Sequence, residues 1–357
     1  MTRAPAAAAI AALVAFSATA ASVASTQTPT RAECSGAAIG SEELYVVTRT
    51  GRGCHAVNRT LVQRPFAAVA PARDQLATFG ADRQLVITDL VGGHVHPLRP
   101  RNVMRVRWSP DGRALALVIA PPCAAECPPV ELWTIGSDGR GLRKLAIAAR
   151  DPVWSPDSRR IAFVRQDRGT GAVVVMDVDG TGARELAPWK QPKFYAALGG
   201  DEESDLAWSP RGGSIAYSTG ADDRIHVVRL SDRRDRALAP GVAPRWSPSG
   251  RLIAFLHVDR VDEHFPLQWS LRVVGASGGR LRSLATGQDV ALHTWSPRGE
   301  IAFAARSSAR GNQLYTVSLR RRVRVLTREP KSTLYRALFW SRGGRRVFYD
   351  AYVPDDV

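Results

Sequence analysis

Lysine is scarce in this sequence, histidine and cysteine nearly so, and acidic residues fall well short of basic ones. No segment beyond the N-terminus approaches the roughly 20 consecutive apolar residues that a membrane-crossing helix requires, so no stable membrane span is expected. With 7 histidines and 4 cysteines in 357 residues, metal-ligand clusters have few places to form. No histidine sits at zinc-ligand spacing near the cysteines. The near pair His94 and His96 lacks a third ligand, and Asp177-Val178-Asp179-Gly180 opens like a calcium loop without its later oxygens or distal Glu. No metal and no cofactor are expected.

What is present is enough for a sizeable core: 45% of residues are hydrophobic and 23% charged. The formal net charge is +16, and since lysine is rare the excess is almost all arginine. Arginine is spread along the whole chain, which reads as a solvated basic surface with a general attraction for anionic polymers and no nucleic-acid partner. The N-terminus reads as an export signal: Arg3, an apolar stretch from Ala6 to Phe16, then the small-x-small site Ala18-Thr19-Ala20, with another candidate ending at Ala24. The expected division is a signal peptide over 1–24, a linker over 25–42 and a single repeat domain over 43–353, secreted or extracytoplasmic. An even cysteine count in an exported chain favours disulfides, with Cys34 near Cys54 and Cys123 near Cys127 in the sequence.

A repeat dominates the rest. Trp108-Ser109-Pro110-Asp111-Gly112 leads to Leu115-Ala116-Leu117, and Trp154-Ser155-Pro156-Asp157 leads to Ile161-Ala162-Phe163. Further copies start at Trp208, Trp246 and Trp295, a weaker one at Trp340, and a degenerate one at Val69-Ala70-Pro71. Pro cannot continue a ladder and Asp-Gly supplies a tight turn, so each copy is a hairpin. Two more strands follow before the next copy. Four antiparallel strands in each 40 to 50 residues make a propeller blade. The tryptophans Trp108, Trp154, Trp208, Trp246, Trp295 and Trp340 are expected to pack between blades. The fold class is therefore all-β, a β-propeller of seven blades (six if the degenerate copy fails to form one). The N-terminal strands lack partners that the C-terminal strands can supply, so the two termini are expected to share a blade and remove the open edge.

The pattern resembles the TolB-type propeller repeat over about Glu43 to Tyr352. That resemblance is specific for fold and weak for function: such repeats occur in periplasmic scaffolds that bind proteins, in sensor domains, and in propellers that gate peptidases. It departs from TolB itself in having no separate α/β domain ahead of the blades.

Catalytic signals are thin. Gly275-Ala276-Ser277-Gly278-Gly279 matches a serine-hydrolase elbow in letters, but it falls between two strands of a blade with no helix to follow. No catalytic residue is assigned. The candidate ligand site is the set of charged residues just before the repeat tryptophans: Arg105, Arg107, Asp151, Asp205, Arg245 and His293. On innermost strands they would converge on a central channel and bind an anionic or zwitterionic ligand. The loop Gly199 to Ser204 is acidic and marks a possible partner face. The function expected is a non-catalytic, monomeric scaffold that binds a protein or an anionic cell-envelope polymer. The alternative is a hydrolase or lyase, or its accessory domain, acting on wall polysaccharide or peptide through the channel residues.

Overall fold

Each Trp-Ser-Pro box ends one strand and turns it into the next. The computed structural model describes residues 42–52, 55–56, 68–70, 75–79, 84–89, 95–123, 127–167, 170–192, 204–260, 268–288, 290, 292–307, 310–329 and 332–352. In the first full box the Ser109 hydroxyl accepts the Ala114 amide at 3.0 Å, and the Gly112 amide returns to the Ser109 carbonyl at 2.9 Å. Gly112 takes φ 67°, which a glycine adopts freely, and Ser158 fills the same place in the next box at φ 60°. Equivalent serine hydroxyls hold the turns after Trp154, Trp208, Trp246, Trp295 and Trp340.

These hairpins assemble into seven four-stranded antiparallel blades. Blade 1 runs Ala68–Val69, Gln75–Phe79, Leu85–Asp89 and Val95–Pro97, so the degenerate copy forms a full blade and the count is seven, not six. Blades 2 to 6 begin with Val103–Trp108, Ala149–Trp154, Leu206–Trp208, Val242–Trp246 and His293–Trp295. Blade 7 joins the two ends of the chain, in the order His55–Ala56, Glu42–Thr48, Arg346–Tyr352, Leu334–Trp340. Seven consecutive residue pairs, Glu42↔Tyr352 to Thr48↔Arg346, zip that closure.

The first strands of successive blades are neighbours, which makes them the inner ring. Apolar layers lie between blades: Leu115, Leu117, Phe79 and Ile87 pack blade 1 on blade 2, and Tyr217, Ile215, Val164 and Val175 pack blade 3 on blade 4. The repeat tryptophans pin these layers in register. Trp154 donates its indole N–H to the Arg107 carbonyl, Trp208 to Val153, Trp246 to Ala207, Trp295 to Arg245 and Trp340 to Thr294, at 3.0 to 3.1 Å. Each acceptor is the residue preceding the tryptophan of the blade before. Trp108 reaches Ala68 at 2.7 Å, one residue ahead of Val69, which stands where the other blades carry tryptophan.

Cys123 and Cys127 form a disulfide in the loop between the second and third strands of blade 2. Cys34, Cys54, the signal and linker segment up to residue 41, His94 and residues 199–203 lie outside the described residues. Asp179 is a turn residue, accepting the Thr181 amide and hydroxyl at 2.9 and 2.6 Å.

Candidate functional site

Four of the six candidate channel residues come together. Arg105, Asp151 and Asp205 each stand three residues before their tryptophan, the first two on the inner strands of blades 2 and 3 and Asp205 immediately ahead of the Leu206–Trp208 inner strand of blade 4. The ladder is broken there: register shifts between Val103 and Arg105 and between Arg150 and Val153 mark bulges, and Asp151 sits at φ 51°. A bulge re-aims a side chain out of the regular alternation. As a result Arg105 and Asp151 meet in a buried ion pair, with 8% and 3% of their side chains exposed. Asp205 is 2% exposed and accepts the Ser218 hydroxyl on Oδ1, while its Oδ2 has no hydrogen-bond partner among the described residues.

Burial, and next the charge of Asp151, push the Asp205 carboxyl up to about 8, against the Ser218 hydrogen bond and the opposing pull of Arg245 and Arg105. Arg245 donates to the Ser204 carbonyl at 2.8 Å and to the Pro244 carbonyl at 3.0 Å. The cluster is thus two guanidinium groups and two acidic side chains, of which Asp205 is shifted toward its protonated form. Arg107 turns toward the Val106 carbonyl at 3.3 Å, and His293 is buried at 2% in the inner strand of blade 6. Ser277 lies in the turn between Gln268–Gly275 and Arg282–Gln288, where its carbonyl accepts Arg236 at 2.6 Å; a strand-to-strand turn gives it no elbow geometry.

No family model matches the chain. A curated relative, the Tol-Pal system protein TolB of Anaeromyxobacter dehalogenans (strain 2CP-C), is 34% identical over 107 residues, 29% of this chain and 24% of the relative. This is a TolB-like propeller. The match spans about a quarter of the length of the curated relatives. Among solved structures, a TolB of Agrobacterium tumefaciens is 15% identical with a TM-score of 0.54, covering 89% of this chain and 100% of that one. An oligogalacturonate lyase determined with manganese (14%, TM-score 0.59) covers 78% and 82%, and a puromycin hydrolase (16%, TM-score 0.60) covers 87% and 58%. At such identities these likenesses show the fold alone.

Sequence reasoning missed a second cluster of this TolB-like propeller, on blade 4. His226 Nδ1 is 3.0 Å from Asp235 Oδ2, and its Nε2 is 3.0 Å from Asp222 Oδ2. Tyr217 donates to the same Asp235 oxygen at 2.9 Å and its ring lies 5.2 Å from the imidazole. The available signal was register: Tyr217 and His226 are direct cross-strand partners. Burial pulls the His226 pKa down, but the hydrogen bonds to Asp235 and Asp222 outweigh it and hold the group above its ordinary value. A raised histidine contributes stability that is full below its unfolded pKa of about 6.5 and is lost as pH rises through the folded value. The melting-temperature gap between wild type and His226→Gln is therefore expected to be widest near pH 5 and to shrink toward pH 9. A gap that is constant with pH would mean that the imidazole has the same pKa in the folded and unfolded chain.

Proposed function

We propose that the chain is a non-catalytic, exported propeller that holds a protein partner outside the cytoplasmic membrane. The observation that carries this reading is the way the channel charges are used. Arg105 is committed to Asp151, Arg245 to backbone carbonyls and Asp205 to Ser218, so the inner ring braces the blades and leaves the broad faces for binding. The 34% identity over 107 residues with a Tol-Pal system protein supports a role in the envelope. Among the described residues no helix is long and apolar enough to cross a membrane. The test is capture from envelope extract on the immobilised mature chain, at low and at physiological salt, with cross-linking to map the face used. A protein retained at physiological salt supports the scaffold reading. Reproducible turnover of a peptide or glycan by the purified chain overturns it.

One observation favours the alternative. A buried carboxyl pushed up to about 8 beside two arginines is poised to exchange a proton at neutral pH, as a hydrolase or lyase acting on wall polymers would need. On that reading Asp205→Asn, or the loss of Arg107 or Arg245, abolishes turnover in a chain that still folds.

A further inference from the structure

In a four-stranded meander the turn after the first strand and the turn after the third lie at the same end of the blade. In the propeller they form one face, and contacts between blades knit it together. The Asp111 amide donates to Ser158 Oγ at 3.2 Å, Arg143 to the Asp179 carbonyl at 2.8 Å, Arg236 to the Ser277 carbonyl at 2.6 Å and Arg298 to the Gly343 carbonyl at 3.1 Å. Arginines scattered along the sequence therefore share a surface.

Their charge is uneven around that face. The turns of blades 2 and 3 carry three arginines and four aspartates; those of blades 4 to 7 carry thirteen arginines and two acids, Asp232 and Glu300. The difference has a local cost. Asp111 and Asp157 stabilise their turns by accepting the serine hydroxyl at 2.6 and 2.5 Å and a following amide at 3.0 and 3.1 Å. At the same repeat position blades 4 and 6 place Arg211 and Arg298, which cannot accept either bond, and blade 7 has Gly343 there with Arg342 in the place of the proline. Local turn chemistry is given up for positive charge on one half of the face only.

Within that half a cleft of about 540 Å³ opens between blades 4 and 5, lined by Arg211, Arg229, Arg234, Arg236 and Arg251. Arg229 pairs with Asp232 at 3.0 Å and Arg236 is held by the Ser277 carbonyl. The exposed guanidinium groups of Arg211, Arg234 and Arg251 have no partner among the described residues. The walls add the hydroxyls of Ser214 and Ser249 and the apolar surfaces of Pro210 and Val227. A second cleft of about 520 Å³, bearing Arg280, Arg282 and Arg321, opens on the other side of the 276–281 turn.

We infer that the turn face of blades 4 to 7 binds an extended acidic polysaccharide, anchored in the cleft between blades 4 and 5. Two arginine clefts flanking one turn require a ligand with anions in series, and the guanidinium fork matches carboxylate oxygens two at a time. Hydroxyls beside apolar walls suit a sugar ring. A nucleic acid fits less well, since the cleft's aromatic residue, Trp246, is half-buried with its N–H committed to Ala207, which leaves no platform for stacked bases. This deepens the binding reading by naming a second ligand and site, and rests on it only in placing the chain where such polymers occur.

The test is binding of uronate oligomers of defined length to the full chain at several salt concentrations, against glucuronate monomer, neutral dextran oligomers and a single-stranded oligonucleotide. Oligouronate is expected to bind, more tightly with length and more weakly with salt, while monomer and dextran do not. Arg211→Glu/Arg234→Glu/Arg251→Glu is expected to lower affinity roughly 30-fold or more. Arg113→Glu/Arg140→Glu/Arg159→Glu, on the same face of blades 2 and 3, is expected to lower it less than about threefold. Lysine at the first three positions tests the fork, with partial affinity retained, and equal melting temperatures confirm folding. Equal losses from the two triple variants, no oligouronate binding, or tighter oligonucleotide binding with the same arginine dependence would each overturn the inference. Whether a protein is captured from envelope extract does not bear on these readouts, so the two proposals fail separately.

Discussion

Asp151→Asn is expected to cost about 3–5 kcal/mol at neutral pH, measured by denaturant unfolding, because it leaves the Arg105 guanidinium buried without its counter-ion. Asparagine tolerates the φ of 51° that the bulge imposes and matches the shape of aspartate, so neither backbone strain nor a cavity confuses the result. Replacing both partners should recover much of the loss: Arg105→Met/Asp151→Asn removes the stranded charge, and the buried pair is weak evidence for stability in itself. If Asp151→Asn costs under 1 kcal/mol on the scale of exposed pairs, water reaches the channel and the inner ring is not a brace.

Asp205 makes this prediction sharper. The charge of Asp151 is one of the causes that raise the Asp205 carboxyl, and Arg105 and Arg245 are among those that lower it. With Asp151 neutralised, Asp205 is expected to ionise more readily and to take over part of the work of balancing the two arginines. Asp151→Asn/Asp205→Asn should therefore cost more than the two single changes together, since groups in one network are not additive. Simple additivity would place the two carboxyl groups in separate environments.

Much of the fold was legible because the repeat is written in turn chemistry. Ser-Pro-Asp-Gly dictates a hairpin wherever it occurs, and the spacing of the tryptophans leaves room for two more strands. Blade 1 was harder, since Val69 replaces the tryptophan, yet Leu76 to Phe79 forms its second strand just as Leu115 to Leu117 does in blade 2. The shared blade followed from unpartnered strands at both ends. The channel was half legible. Counting back from tryptophan identified Arg105, Asp151, Asp205 and Arg245, but not the bulges beside Arg105, Asp151 and Arg245, because a one-residue bulge leaves no mark on a 40- to 50-residue period. The basic face was hidden for another reason. Its arginines belong to two kinds of turn interleaved along the chain, so they look evenly scattered until the turns are sorted by the end of the blade they occupy.

The pH dependence of stability tests the channel independently of any ligand. A carboxyl raised to about 8 keeps its proton in the folded chain, while the unfolded chain releases it near pH 4. Between those values the unfolded state binds fewer protons, so stability falls as pH rises, by up to about 5 kcal/mol from this group across the window. Asp205→Asn keeps the shape and the neutral state, and should therefore be nearly as stable as wild type near pH 5 and progressively more stable toward pH 9. His226 lowers stability over an overlapping range, but His226→Gln removes that contribution and leaves the Asp205 slope in place. A difference between wild type and Asp205→Asn that stays flat from about pH 5 to pH 9 would show that Asp205 is ionised throughout and paired with the arginines. The channel would then be a closed set of two ion pairs, and the proton-exchange reading would lose its only group poised near neutrality.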